Sequence, residues 1–289
     1  MVKMMALGPP GTNGHEAALK AKRLLGYDCE IEFGDNHRAI MQSLRDIATD
    51  IGVVAIENST NGYVREVIEY WLPCIMNGQA PPLFSVVGEV EIPINHCLIV
   101  RNGIEPGMIK GVISHPQALG QCGKFLDKHN ITIKVPSSST ASATKLVAGD
   151  GDYACYAAIA SPLAAKLYGL RILQENISDP TPYGVNKTRF YVLGKEKPES
   201  TGRDWTALLL KVPNIEGALL KVIGPISHNG INMSALHSIP IGELREYAFY
   251  VEVEGHESER RVQAALASIA NITNDRFIVL GSFPKAVAN

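Results

Sequence analysis

Four short stretches group hydroxyls, amides and backbone donors: Gly11-Thr12, Asn58-Ser59-Thr60, Ser114-His115 and Ser139-Thr140. Each lies where an apolar, strand-like run gives way to a helical one. Helix N-termini carry unpaired N–H groups and partial positive charge, so several that converge form a receptor for carboxylates without many Lys or Arg. That suits a small organic dianion. Taken singly, each Ser or Thr is more often a helix cap; four together in one chain favour a ligand cleft. Thr188 opens a β-rich run, where threonine is common on propensity alone. Arg189 beside it could clamp a carboxylate bidentately, or could close an ordinary surface ion pair. His15, His96 and His115 are available as acids or ligands, although isolated histidines more often serve as structural groups.

Other chemistries lack their patterns. There is no Ser/His/Asp order and no nucleotide fingerprint, and Gly8-Pro9-Pro10-Gly11-Thr12 has neither the spacing nor the Lys of a phosphate loop. Cys29, Cys74, Cys97, Cys122 and Cys155 stand singly, with no CxxC and no Cys/His ligand spacing, which reads as reduced, buried thiols. Neither a metal nor an organic cofactor is expected.

The elements that must position these residues come from a chain of 289 residues that is 46% hydrophobic, enough for two or three compact units. A formal net charge of −2 without a basic stripe argues against nucleic acid as a partner. No apolar run approaches the length of a membrane span, and Met1 to Leu7 is too short for a secretory signal, so the expected compartment is the cytoplasm.

From Met4 to about Leu193, short apolar runs alternate with helical stretches, the pattern of α/β units on largely parallel sheets. Asn13-Gly14-His15-Glu16 has capping-box spacing before a helix to Leu25, with Gly26 as its stop. Ile51 to Ile56 reads as a buried strand, Glu57 to Gly62 as a loop, and the residues through Trp71 as a helix. A second unit starts near Ile94 to Val100, with a strand at Gly111 to Ile113, helices from His115-Pro116-Gln117 and over Ser142 to Ala148, and a strand at Tyr153 to Ala157 leading to a helix that ends at Tyr168-Gly169. The chain then crosses back through the loop Asp179 to Gly184 into a strand over Thr188 to Leu193. Two lobes with a cleft between them follow: roughly 1–92 with 176–196, and 93–175, making one unit of 1–196. Lys195 to Arg203 is a linker by composition. Residues 204–289 carry strand, helix, strand, strand, helix, strand in ferredoxin-like order: Trp205 to Lys211, Gly217 to Ser227, Met233 to Ser238, Tyr247 to Glu254, Ser258 to Ile269 and Phe277 to Phe283.

The same residues carry a resemblance to the prephenate dehydratase family. The matching stretches are Gly8-Pro9-Pro10-Gly11-Thr12 with His15, Glu57-Asn58-Ser59 with Gly62, Ser114-His115-Pro116-Gln117-Ala118-Leu119 with Gln121-Cys122, Ser139-Thr140-Ala141, Ala157-Ala158-Ile159-Ala160 and Asn186-Lys187-Thr188-Arg189-Phe190. They run in order over nearly 190 residues. Residues 204–289 resemble the ACT regulatory domain that follows the catalytic part in this family, with Gly217-Ala218-Leu219 opening its first helix. The effector stretch departs from the family: Glu-Ser-Arg-Pro is replaced by His237-Ser238-Ile239-Pro240, and Glu216 stands where proline is usual. Asn13-Gly14 likewise replaces an aromatic-serine pair.

The resemblance implies a two-lobed, periplasmic-binding-protein-like catalytic domain and loss of water and carbon dioxide from prephenate. Thr188 would donate to the departing hydroxyl with support from Asn58 and Ser59. Arg189 would hold a carboxylate, with Thr12, Ser114 and Thr140 as neutral donors and His15, Glu57, His115, Gln117, Ser139 and Phe190 completing the wall. Phenylalanine is the effector it implies, held near Asn214, Gly217, Ala218, Leu219 and Asn232 between copies of a homodimer or homotetramer. Arogenate dehydratase, a non-aromatising prephenate decarboxylase and a non-catalytic amino-acid sensor stay open as alternatives.

Overall fold

The alternating apolar runs of the first two thirds build two mixed sheets in the computed structural model, which describes residues 2–26, 28–149, 151–180, 184–242 and 244–286. The first half runs β1 (Val2–Leu7), α1 (Asn13–Leu25), β2 (Cys29–Gly34), α2 (His37–Arg45), β3 (Ile51–Asn58), β4 (Gly62–Tyr63), α3 (Arg65–Glu69), α4 (Leu72–Asn77) and β5 (Ser85–Pro93). The second half of this region runs β6 (Cys97–Val100), β7 (Gly111–Ser114), α5 (Pro116–Gln121), α6 (Gly123–Lys128), β8 (Lys134–Pro136), α7 (Thr140–Ala148), β9 (Tyr156–Ala160), α8 (Pro162–Leu167) and β10 (Arg171–Gln174), and β11 (Lys187–Gly194) returns to the first sheet.

Sheet one has the order β2-β1-β3-β11-β5, with β4 on the end of β3, and sheet two the order β10-β6-β9-β7-β8. The expected largely parallel sheets are mixed instead. The strands β1, β2 and β3 run parallel, but β11 lies antiparallel between β3 and β5, and β6 and β10 are antiparallel in sheet two. The chain passes between sheets twice, at 94–96 and at 175–186, and a strand that re-enters from the far side must point the other way.

Local expectations shift by a few residues. Thr12, not Asn13, caps α1 by accepting from His15 N, and Gly26 ends it at φ 67°. The helix expected through Trp71 breaks into α3 and α4, with Pro73 in the first turn of α4. The strand expected at Tyr153 to Ala157 begins at Tyr156, because 152–155 is a turn. Part of the loop expected at Asp179 to Gly184, residues 181–183, lies outside the described residues.

The last third forms β12 (Asp204–Lys211), α9 (Ala218–His228), β13 (Met233–Pro240), β14 (Tyr247–Glu254), α10 (Arg260–Thr273) and β15 (Phe277–Pro284). Its antiparallel sheet has the order β13-β14-β12-β15. The strand β12 reads as an unbroken apolar run because both of its faces are buried. Leu208 and Leu210 pack with Val222, Ile226 and Val262 of the two helices. Ala207 and Leu209 face the other way and join Val86 and Tyr191 of sheet one, with Trp71 at the start of α4, Ile75 within it and Phe84 just before β5, in a shared core. The strands β15 and β5 approach so closely that a Cβ on Gly281 would lie 2.1 Å from the Val86 carbonyl oxygen. The third sheet is therefore seated on sheet one rather than tethered beside it.

Candidate active site

The cleft opens where the strand ends of both sheets meet, with a volume of about 440 Å³. The first sheet contributes Thr12 and Asn13 at the start of α1, Asn58 and Tyr63 around the β3–β4 turn, and Thr188 and Phe190 of β11. The second contributes His115, Gln117 and Gln121 around α5, and Ser138, Ser139 and Thr140 at the start of α7. Among the described lining residues there is no Lys or Arg. The positive potential available to an anion comes from the amino ends of α1 and α7, whose first-turn N–H groups have no partner within the helix.

The centre of the cleft is a chain of amides whose orientation can be read outright. Asn58 Oδ1 accepts from Thr60 N (3.1 Å), Asn61 N (3.0 Å) and Asn61 Nδ2 (3.1 Å), so the opposite end of that amide is the NH₂. Its Nδ2 donates to Thr188 Oγ1 at 2.9 Å and to Asn186 Oδ1 at 2.8 Å. Asn186 Nδ2 then donates to Gln121 Oε1 at 3.3 Å, and His96 Nε2 lies 2.9 Å from the same oxygen. Since that oxygen only accepts, His96 must carry its proton on Nε2. Burial holds the His96 imidazole below its usual pKa, against the pull of Gln121, which favours the neutral ring. Among the described residues Gln121 Nε2 is buried without a partner.

The Thr188 hydroxyl thus accepts from an amide that has nothing to take in return. Its own proton is free to point into the cleft, and the oxygen it would leave behind sits on a fixed donor. A hydroxyl so placed can donate to a leaving oxygen and be stabilised as negative charge builds on it.

Residues 4–198 match the family model for prephenate dehydratase. The chain belongs to that family. It is similar to the bifunctional chorismate mutase/prephenate dehydratase of Aquifex aeolicus (strain VF5), with 34% identity over 99% of this chain and 74% of that protein. Among solved structures it is similar to the prephenate dehydratase of Arthrobacter aurescens in complex with L-Phe, with a TM-score of 0.84, 31% identity and coverage of 99% of this chain and 90% of that one. It is also similar to GqqA, described as a novel type of quorum quenching acylase, with a TM-score of 0.81, 27% identity and coverage of 98% of each chain.

Of the residues that the sequence and the family resemblance single out, Thr188, Asn58, Thr12, His115, Gln117, Ser139, Thr140 and Phe190 do line the cleft. Five others do not. Arg189 and Glu57 face away from it: β11 and β3 pair Thr188 with Asn58 and Arg189 with Glu57, and consecutive residues of a strand point to opposite faces. A threonine and the arginine after it cannot both reach one ligand. Arg189 instead meets Glu57 (3.0 Å), Glu89 (3.2 Å) and Glu252 (2.7 Å) on the side facing the third sheet. Ser59 is likewise outside the cleft, its hydroxyl accepting from Lys187 N at 2.9 Å. Ser114 is fully buried and donates to Ile159 O at 2.6 Å, so it has no proton left for a ligand. His15 accepts from Gly11 N through Nδ1 and packs edge-on against Phe33; it shapes the turn before α1 instead of lining the cleft.

Of the residues in this chain of amides, His96 is named from the sequence only as an available acid or ligand, and Gln121 and Asn186 belong to the family-like stretches without a role of their own; the two amides meet across 65 residues of sequence. In the third sheet, Asn214, Ala218 and Leu219 line a small cavity of about 120 Å³ with Tyr247 and Phe249. Gly217 supplies the left-handed residue (φ 70°) that starts α9. Asn232 lies past the other end of that helix, where its carbonyl accepts from Glu254 N, so within one chain it does not join the cavity.

Proposed function

We propose that the chain carries out the reaction of its family through Thr188, with Asn58 fixing the direction of its proton. In prephenate, breaking the bond to the ring carboxylate releases carbon dioxide and sends its electron pair into the ring. That pair expels the hydroxyl group on the opposite ring carbon, and phenylpyruvate results. The departing hydroxide takes the Thr188 proton to become water, and solvent restores it. The observation that carries this reading is that Thr188 Oγ1 accepts from Asn58 Nδ2 and so has its proton to spare.

The anionic groups would be met by the amino ends of α1 and α7 and by Thr140, whereas the Thr12 hydroxyl gives its proton to Leu7 O at 2.8 Å. Keeping Lys and Arg away from the scissile carboxylate favours its departure as a neutral molecule. The same elimination on arogenate would use the same Thr188 and differs only in the side-chain pocket. A non-aromatising decarboxylase or an amino-acid sensor would have no use for a threonine proton oriented into the cleft. An acylase needs a hydroxyl activated by a base, whereas here the Thr188 oxygen faces a donor.

The units 1–196, with lobes 1–92 plus 176–196 and 93–175, and 204–289 serve as catalytic and regulatory domains in this reading. The β13-β14-β12-β15 order supports a ferredoxin-like ACT domain. Phenylalanine as effector is supported by the L-Phe complex of the Arthrobacter relative, and its cavity would include Asn214, Ala218 and Leu219. The exposed Ile215, Leu220 and Leu236 of this unit support its pairing with a second copy. Prephenate turnover by purified protein, followed as phenylpyruvate, tests the whole. Activity that persists in Thr188→Ser and falls by at least about 100-fold in Thr188→Val supports Thr188 as donor; equal activity in both variants removes it.

A further inference from the structure

A guanidinium in the interior needs carboxylates around it, and their placement fixes where it sits. Arg189 is such a group, with a side chain only 15% exposed. Its Nη1 donates to both oxygens of Glu252 at 2.7 and 2.9 Å and to Glu89 at 3.2 Å, and its Nη2 reaches Glu57 at 3.0 Å. Glu252 belongs to β14 of the third sheet, whereas Glu57 is on β3 of the first. Glu252 is itself held from several sides, accepting from the hydroxyls of Tyr250 (2.8 Å) and Tyr191. Burial pushes both phenols well above their ordinary pKa, so they remain neutral donors.

What gives this cluster a bearing on the chemistry is its register. Arg189 is bonded covalently to Thr188, and Glu57 to Asn58. The two pairs are adjacent rungs of the same two-strand ladder, with Thr188 opposite Asn58 and Arg189 opposite Glu57. One rung faces the cleft and holds the reacting hydroxyl; the next faces the third sheet and is clamped by Glu252. Peptide planes leave little freedom between them. A hydrogen bond of 2.9 Å from Asn58 to Thr188 therefore depends on where the guanidinium behind it is anchored.

We propose that Glu252, a residue of the third sheet, is a positioning residue for the dehydration: it holds Arg189, and through the Arg189–Glu57 rung sets the Asn58–Thr188 pair. The proposal rests on the reading of Thr188 as the donor. The third sheet is then part of the machinery that shapes the cleft, and a shift of β14 would be felt at the reacting hydroxyl without any contact between β14 and substrate.

The test is a double-mutant cycle in the full-length protein, pairing Glu252→Gln, which keeps the volume and removes the charge, with Asn58→Ala. Glu252→Gln is expected to lower kcat by about tenfold with KM changed by less than about threefold, and to change kcat by no more than about twofold once Asn58 is already gone. An equal loss of kcat in both backgrounds would mean a general structural role and overturn the proposal, as would an unchanged kcat in Glu252→Gln. Should Glu252→Gln fail to fold, Tyr250→Phe removes a single hydrogen bond from Glu252 and must show a smaller loss with the same dependence on Asn58; equal losses in both backgrounds would again overturn it. Wild-type protein that does not turn over prephenate would instead refute the reaction itself, and the positioning role with it.

Discussion

Replacing Asn58 by aspartate changes one atom type in the cleft, and the structure fixes what that atom would face. The oxygen that accepts from Thr60 N, Asn61 N and Asn61 Nδ2 keeps all three donors, so the β3–β4 turn should keep its shape. The other atom turns from a donor into an acceptor that faces three oxygens: Asn186 Oδ1 at 2.8 Å, Thr188 Oγ1 at 2.9 Å and Lys187 O at 3.1 Å. Two effects add. The donor that stabilises the threonine oxygen in the transition state is lost, which for an oxyanion-type donor costs about 10²- to 10³-fold in kcat, or about 3–4 kcal/mol. The Thr188 proton also gains an acceptor beside it and turns away from the leaving group. Asn58→Asp should therefore lower kcat by about 10³-fold or more, with a much smaller change in KM, in a phenylpyruvate assay at neutral pH. The pH profile adds a second check. A carboxyl facing three oxygens and no cation is protonated above the ordinary range, and the protonated form donates again. The ratio of variant to wild-type kcat should rise as the pH is lowered. A variant within about threefold of wild type would show that the direction of the Thr188 proton is irrelevant to a donor worth about 10²-fold, and the mechanism would fall.

Gly281→Ala should destabilise the protein severely, because its Cβ would sit 2.1 Å from Val86 O and 2.7 Å from Val86 N; sheet one and the third sheet must part, and a denaturant midpoint close to wild type would refute their tight apposition. Ser114→Ala should leave KM within about twofold while costing about 1–3 kcal/mol of stability, since its hydroxyl serves Ile159 O rather than a ligand; a raised KM at unchanged stability would return Ser114 to the substrate. Burial holds His37 below its ordinary value of 6.5 despite the nearby Glu66, so the native state binds fewer protons there than the unfolded chain and stability declines as pH falls from that value toward the native pKa. Glu89, raised by burial, has the opposite sign, so the comparison to make is His37→Gln against wild type by thermal melts from about pH 7 to about pH 5. The variant should lose less stability on acidification, and parallel curves would refute the assignment.

Much of the architecture could be read from the sequence because it rests on local signals. Gly26 ending α1, Pro116 opening α5 and the alternation of the last six elements each act within a few residues of where they are read. The turn at 152–155 could not be seen, since Tyr153-Ala154-Cys155 has the same apolar character as the strand that follows. The mixed direction of the sheets was also hidden: nothing in Thr188 to Leu193 says which two strands it will lie between.

The misplacement of Arg189 was avoidable with elementary geometry. Once Thr188 to Leu193 is taken as a strand, alternation already forbids adjacent Thr188 and Arg189 from serving one ligand, whereas Glu57 and Asn58 read as loop and give no such warning, although the strand runs on to Asn58. The arginine attracted a carboxylate role because it is the conspicuous cation beside the reacting threonine. The carboxylates it holds come from the protein: Glu57 one rung across, Glu89 on β5 and Glu252 from a strand more than sixty residues away in sequence. A short stretch that reads as a single motif thus faces two ways through one sheet, with the proposed acid Thr188 on the cleft face and the Arg189 cluster on the other. In the proposed reading that division also accounts for a cleft with no Lys or Arg among its described lining residues: the strand's one guanidinium holds the ladder, and the substrate would meet neutral donors that do not resist the loss of its carboxylate.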